Sequence, residues 1–176
     1  MKFEHLVSAT MCDFQMLLEH LKMPIAVGCI SDDDFTILGR GYGRLNWDYV
    51  ITRYYNPDSA FDFCFKLKEN GYANNSTPPI GAFLSSYNPN NKILEIYGIE
   101  RFGNNPDLNG RMLLLSMFAV SILMSKVDGK SIKLIDVENN VELREHYKRF
   151  GFLEDGSENF TLEISKFNEL MNSFIL

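Results

Sequence analysis

The run Leu113–Met124 (LLLSMFAVSILM) carries no charged side chain. A bilayer crossing needs ~20 apolar residues, so the run is too short to span a membrane. It suits a helix buried within a domain, with other elements packed around it. The flanking sequence supplies such elements. Pro79–Tyr87 (PIGAFLSSY) and Lys92–Phe102 (KILEIYGIERF) read as two strands joined by the turn Asn88-Pro89-Asn90-Asn91. A polar loop, Gly103–Asn109, leads into the apolar helix from Gly110 to Lys126, which Asp128–Gly129 ends. Ser131–Val137 reads as a strand, Val141–Phe150 as a helix closed by Gly151, and Asn159–Ile164 as a further strand. Hairpin, helix, strand, helix, strand is the order of an α/β or α+β domain whose helices pack on one sheet.

The first third is less regular. Asp13–Lys22 places Phe14, Leu17, Leu18 and Leu21 at helical spacing and is stopped by Pro24. Ile25–Ile30 is a short apolar run ended by the acidic turn Ser31–Asp34. Phe35–Tyr55 alternates loosely and is rich in Tyr, Ile and Val, which predicts one or two strands. Asn56-Pro57-Asp58-Ser59 predicts the start of a helix through Phe61 and Phe65 that stops at Asn70–Gly71.

At 176 residues the chain has the length of one domain, and 45% apolar with 13% aromatic residues is enough for a core. The net charge of -6 argues against nucleic-acid and anionic-membrane partners, which need clustered Lys and Arg, and suits a cationic or neutral substrate. Cys12, Cys29 and Cys64 are odd in number and not in CxxC spacing, so they read as buried thiols of a reducing compartment. His5, His20 and His146 are scattered, and no metal-ligand spacing is present. The N-terminus has no apolar signal core, so a soluble cytoplasmic protein is expected.

Among glycine-rich segments, Gly39-Arg40-Gly41-Tyr42-Gly43 could cradle a phosphate only where a strand turns into a helix. The next residues, Leu45–Tyr55, look like strand, so a structural turn is the better reading. The loop before the buried helix has the right layout, with Gly110 letting a ligand approach the backbone and Arg111 adding positive charge. Further on, Asn140-Val-Glu-Leu143-Arg-Glu-His146-Tyr147-Lys-Arg-Phe150-Gly151-Phe152 comes directly after a strand. It matches the signature N-x-x-[small or apolar]-x-x-x-Y-x-x-x-G-F.

In these residues the chain resembles the GNAT superfamily of acetyl-CoA-dependent N-acyltransferases, over roughly residues 78–164. The resemblance implies a mixed, mostly antiparallel central sheet flanked by helices. Residues 1–77 would form a divergent acceptor-side part, 78–164 the cofactor-binding core and 165–176 a C-terminal tail. The family's Q/R-x-x-G-x-G/A loop falls on Asp107-Leu108-Asn109-Gly110-Arg111-Met112, with Asp107 and Met112 departing from the pattern. Asn109, Gly110, Arg111 and Met112 would then face the pyrophosphate of acetyl-CoA. A bulge near Gly98 would expose main-chain groups of Ile99 and Arg101 to the pantetheine arm, and Asn140 would bond that arm.

Tyr147 matches the family's general acid to the departing thiolate, and its alternative is an aromatic packed under the sheet. Glu95 matches the position of a general base used in some branches, with Glu100 as the other candidate. Strand alternation sets these two glutamates on opposite faces unless a bulge shifts the register. The implied reaction is direct attack of an amine, from a small molecule or a protein, on an acyl-CoA in a ternary complex. No metal is required, and a homodimer is left open. The departures at Asp107 and Met112 keep a second reading in play, a GNAT-shaped binding or regulatory module without catalysis.

Overall fold

The computed structural model describes residues 2–56, 58–70 and 77–175. Among them are six helices and one seven-stranded sheet. The strands are β1 (Ile25–Gly28), β2 (Phe65–Glu69), β3 (Gly81–Asn88), β4 (Ile93–Arg101), β5 (Ser131–Leu134), β6 (Leu153–Glu154) and β7 (Phe160–Glu163). They are ordered β1-β2-β3-β4-β5-β7-β6, and every pairing is antiparallel except β4–β5. The α/β, mostly antiparallel architecture expected from the sequence is therefore present.

The charge-free run forms α4 (Met112–Lys126), which lies on one face of the sheet beside α1 (Phe3–His20) and α6 (Ile164–Ile175). Between these helices and the strands sits the main core, with Phe14, Phe65, Phe83, Met117 and Phe160 fully buried. The opposite face carries a smaller core around Trp47, Leu84 and Phe102, covered by α2 (Asp32–Gly39) and α3 (Trp47–Tyr54). Helix α5 (Val141–Arg149) closes the far end. No helix among the described residues is long and apolar enough to cross a membrane.

Three expectations are corrected. The stretch 35–55, expected as strand, contains helices α2 and α3. Ser31 and Asp34 form a reciprocal capping box, and the Asn46 side chain accepts the Tyr49 N–H, so two helix starts outweigh the β-prone Tyr, Ile and Val. The helix expected after Asn56 is strand β2 instead, because Phe63, Phe65 and Leu67 alternate into the core; Pro57 and Gly71 lie outside the described residues. Cys12 and Cys29 are exposed and only Cys64 is partly buried, so the buried-thiol expectation fails for two of the three.

The expected tail also has structure, since α6 runs through it with Phe167 and Met171 buried. The run Gly39–Gly43 joins two helices as a turn, in keeping with its structural reading.

One buried ion pair pins α2 to the sheet. Lys66 of β2 contacts the Asp34 carboxylate, which also accepts the Ser31 N–H and hydroxyl at 2.8 Å. Both residues are buried. Burial alone would raise the Asp34 pKa, but the bonds from Lys66 and Ser31 overcome it and hold it below the usual carboxylate value.

Candidate active site

The site begins with one extra residue in β4. Leu84 of β3 pairs with Gly98 while its neighbour Ser85 pairs with Ile96, so Tyr97 is left without a partner, a β-bulge. The bulge bends β4 away from β5. Their parallel pairing covers Ile93–Ile96 against Ser131–Leu134 and ends where the Ile135 N–H donates to the Ile96 carbonyl at 3.0 Å. Beyond that point the strands diverge, and Asp136 leaves β5 in the left-handed region at φ 50°.

The gap is a cleft of about 270 Å³. Tyr97–Glu100 form one wall, Leu134–Glu138 the other, and Leu143 and Tyr147 of α5 close one end. On the β4 side the Phe102 N–H donates to the Ile80 carbonyl, so alternation turns the main-chain groups of Ile99 and Arg101 toward the edge that β5 has left.

Gly98 is needed for a close approach. A Cβ there would lie 2.9 Å from the Trp47 ring, and that ring is tethered by its Nε1–H to Glu100 at 2.7 Å. Gly98→Ala is expected to destabilise by about 1–3 kcal/mol and to loosen α3, read by thermal unfolding and near-UV circular dichroism.

The bulge also decides where the glutamates point. Before it, Glu95 and Tyr97 share a face; after it, Glu100 falls on that same face, because one inserted residue flips the alternation. Both glutamates therefore face α2 and α3. Glu100 lines the cleft wall and accepts the Arg44 N–H, the Leu45 N–H at 3.1 Å and the Trp47 indole, so it organises the loop in front of α3. Glu95 lies outside the lining and accepts the Tyr97 hydroxyl at 2.9 Å. Burial, with Glu95 adding, pushes the Tyr97 hydroxyl well above its usual pKa.

Tyr147 reaches the cleft from the second turn of α5, packed on Phe152 and Phe160 at ring distances of 6.1 Å. Its hydroxyl has no hydrogen-bond partner among the described residues. Burial, with Glu138 nearby, pushes its pKa up to about 12, so it is protonated at any physiological pH. Asn140 caps α5, its Oδ1 accepting the Leu143 N–H at 3.1 Å, which leaves its amide N–H₂ exposed.

Past β4 the chain enters the loop before α4. Asn109 and Arg111 use their N–H groups within this loop, on the carbonyls of Pro106 and Leu108. Gly110 sits at φ 69° with open space where a side chain would go. No side chain caps α4, so the amides of its first turn, from Met112 to Leu114, face no capping group. Asp107 does not act as that cap. Met112 drops into the main core against Gly81, so its bulk lies outside the cleft, as does the whole loop 103–109.

Sequence reading missed Tyr54, hidden in a segment expected as strand. Tyr54 stacks flat on Tyr97 at 4.5 Å, and its hydroxyl bonds Asp136 across the cleft, tying α3 to the end of β5.

No family model and no curated protein matches the sequence. Solved structures match through their shape. A variant of SpeG, the spermidine N-acetyltransferase of Vibrio cholerae, superposes with a TM-score of 0.55 at 12% identity, over 82% of this chain and 96% of that one. FdhC, a nucleotide-linked sugar GNAT, superposes with a TM-score of 0.56 at 8% identity, over 86% of this chain and 93% of that one. The chain has the GNAT fold, in a sequence far diverged from these relatives.

Proposed function

We propose that this chain transfers an acetyl or other short acyl group from acyl-CoA to a small-molecule amine, by direct attack in a ternary complex. The observation that carries the reading is the bulge-opened cleft with a protonated, unpartnered tyrosine hydroxyl inside it. The residues around it fit the coenzyme: an edge of unpaired main-chain groups suits a pantetheine amide chain, and an uncapped helix start beside Arg111 suits a pyrophosphate. When bound, the coenzyme supplies the activated thioester carbonyl.

Each residue then has a task. Ile99 and Arg101 orient the arm through main-chain groups, with Asn140 donating from its free amide. Gly110 admits the phosphates, and Arg111 with the amides from Met112 to Leu114 balances their charge, while Asn109 shapes the turn. Tyr147 holds a proton at Oη and delivers it to the departing sulfur. Glu95 takes the amine's proton through the Tyr97 hydroxyl it already accepts. No cysteine lines the cleft, and burial pushes Cys64 up to about 12, which fits direct attack rather than a covalent intermediate. The exposed, unpaired Cys12 and Cys29 suit a reducing cytoplasm.

The relatives act on spermidine and on a nucleotide-linked sugar by their names, so the first panel of acceptors is polyamines and amino sugars. Acetyl-CoA with each amine should release free thiol, read with a thiol reagent, faster than acetyl-CoA alone. Thiol release no faster than background across polyamines, amino sugars and amino acids would contradict the reading.

A further inference from the structure

The cleft is lined from both faces of the sheet. Tyr147 packs with the main core, on the face that carries α4, while Tyr97 packs with Tyr54 in the smaller core under α2 and α3. An acyl-CoA held by the start of α4 and by Tyr147 occupies the first side, so the acceptor comes from the second. Two features stand there. The Tyr54 and Tyr97 rings are parallel to within 1° at 4.5 Å, and the Tyr54 hydroxyl donates across the cleft to the Asp136 carboxylate.

Asp136 is a fixed point in this wall. Its left-handed conformation is pinned by Asn159, whose Oδ1 accepts the Asp136 N–H at 2.9 Å, and by the next N–H, of Val137, which donates to the Glu158 carbonyl at 2.8 Å. The carboxylate so placed forms no ion pair among the described residues. Arg53 attracts it only from a distance. That guanidinium lies over the Tyr54 ring at 5.6 Å and the Tyr49 ring at 5.9 Å, and its Nε–H donates to the Tyr54 hydroxyl at 3.3 Å. Of the other carboxylates lining the cleft, Glu100 is taken by two N–H groups and an indole, and Glu138 lies near Tyr147. Asp136 is left with a neutral phenol, a weaker partner for a carboxylate than an ammonium.

The nitrogen that attacks a thioester must be neutral, and a carboxylate paired with it would hold it protonated. Asp136 therefore suits a nitrogen that stays charged, and the tyrosine faces beside it suit an alkyl chain bearing a cation. We propose that Asp136 determines acceptor specificity by anchoring the second, unreacting ammonium of a linear diamine, which displaces the Tyr54 hydroxyl on binding. This rests on the acyl-transfer reading of the cleft and narrows its acceptor from amines in general to those with a second positive charge. It also gives the Tyr54–Asp136 bond a role, since the hydroxyl holds the place of the substrate's donor in the free protein.

The test compares putrescine, butylamine and γ-aminobutyrate, which share one chain length and differ in the charge at the far end, by thiol release at saturating acetyl-CoA. The wild type should favour putrescine over butylamine about tenfold in kcat/KM and use γ-aminobutyrate least. Asp136→Asn keeps the side-chain shape, tolerates the left-handed turn and still accepts the Tyr54 hydroxyl. It should raise the KM for putrescine about tenfold while leaving kcat and the butylamine kinetics nearly unchanged. Tyr54→Phe breaks the bond but keeps the charge, and should not raise the putrescine KM. An unchanged putrescine KM in Asp136→Asn, no wild-type preference for putrescine over butylamine, or an equal rise in Tyr54→Phe would overturn the anchor and leave the transferase reading standing. If no acceptor is turned over, the transferase reading falls, and calorimetry with putrescine, with and without coenzyme A, judges the anchor alone. Binding that Asp136→Asn weakens about tenfold supports it, and no binding, or equal binding by both proteins, removes it.

Discussion

Tyr147→Phe should lower kcat by on the order of 10²–10³ while leaving the KM for acetyl-CoA nearly unchanged, the range expected when a positioned general acid is removed. The ring's contacts with Phe152 and Phe160 survive the change, so folding should be intact. Only the proton donor is lost. Because burial raises the hydroxyl to about 12, the wild-type enzyme should keep its acid form throughout the neutral and mildly basic range. Any basic limb of kcat below pH 10 must then come from another group. Steady-state kinetics on both proteins checks this, with circular dichroism as the control for folding. A variant that turns over at the wild-type rate would reduce Tyr147 to a packing residue.

Asp34→Ala should destabilise the fold by about 3–5 kcal/mol, because it strands the Lys66 ammonium in a buried position. At this chain length that is a fall in Tm of roughly 6–20 °C. Replacing both partners, with Asp34→Leu and Lys66→Met, should restore most of the loss, since apolar residues of similar size carry no desolvation cost. The pH dependence has a definite sign. The Asp34 pKa is lowered in the folded state, so its contribution is fully present above the unfolded value of 3.8 and disappears as pH falls through the folded value. Urea unfolding at pH 7 and at pH 3 should therefore show a smaller difference between wild type and Asp34→Ala in acid.

The parts of the fold that could be read from sequence are those with strong local punctuation. Asn88–Asn91 fixes the β3–β4 hairpin, the charge-free run fixes α4, and Gly151 closes α5. The N-terminal half was harder because its local signals conflict. Trp47, Tyr49, Val50, Ile51, Tyr54 and Tyr55 are β-prone residues, yet Asn46 caps a helix there and the sheet supplies an apolar face for Trp47 and Val50. Tertiary packing outweighed propensity. The Gly98 bulge could be anticipated, but its effect on the two glutamates could not. Which carboxylate is free depends on Trp47, Arg44 and Leu45 finding Glu100 from more than fifty residues away, through contacts that no local pattern encodes. The same holds for Tyr54 and Asp136. Asp107 and Met112 looked like obstacles to a coenzyme, and in three dimensions Met112 turns into the core against Gly81.

The central claim is that the cleft and the start of α4 hold an acyl-CoA. Calorimetric titration of acetyl-CoA into the wild type, Gly110→Trp and Gly110→Asn tests it most directly. Position 110 opens to solvent at φ 69°, a conformation asparagine tolerates, so the asparagine variant separates backbone strain from bulk. Micromolar binding to the wild type, retained within a few-fold by Gly110→Asn and lost in Gly110→Trp, is the predicted result. No heat of binding to the wild type at millimolar acetyl-CoA, or equal affinity in all three proteins, would contradict it.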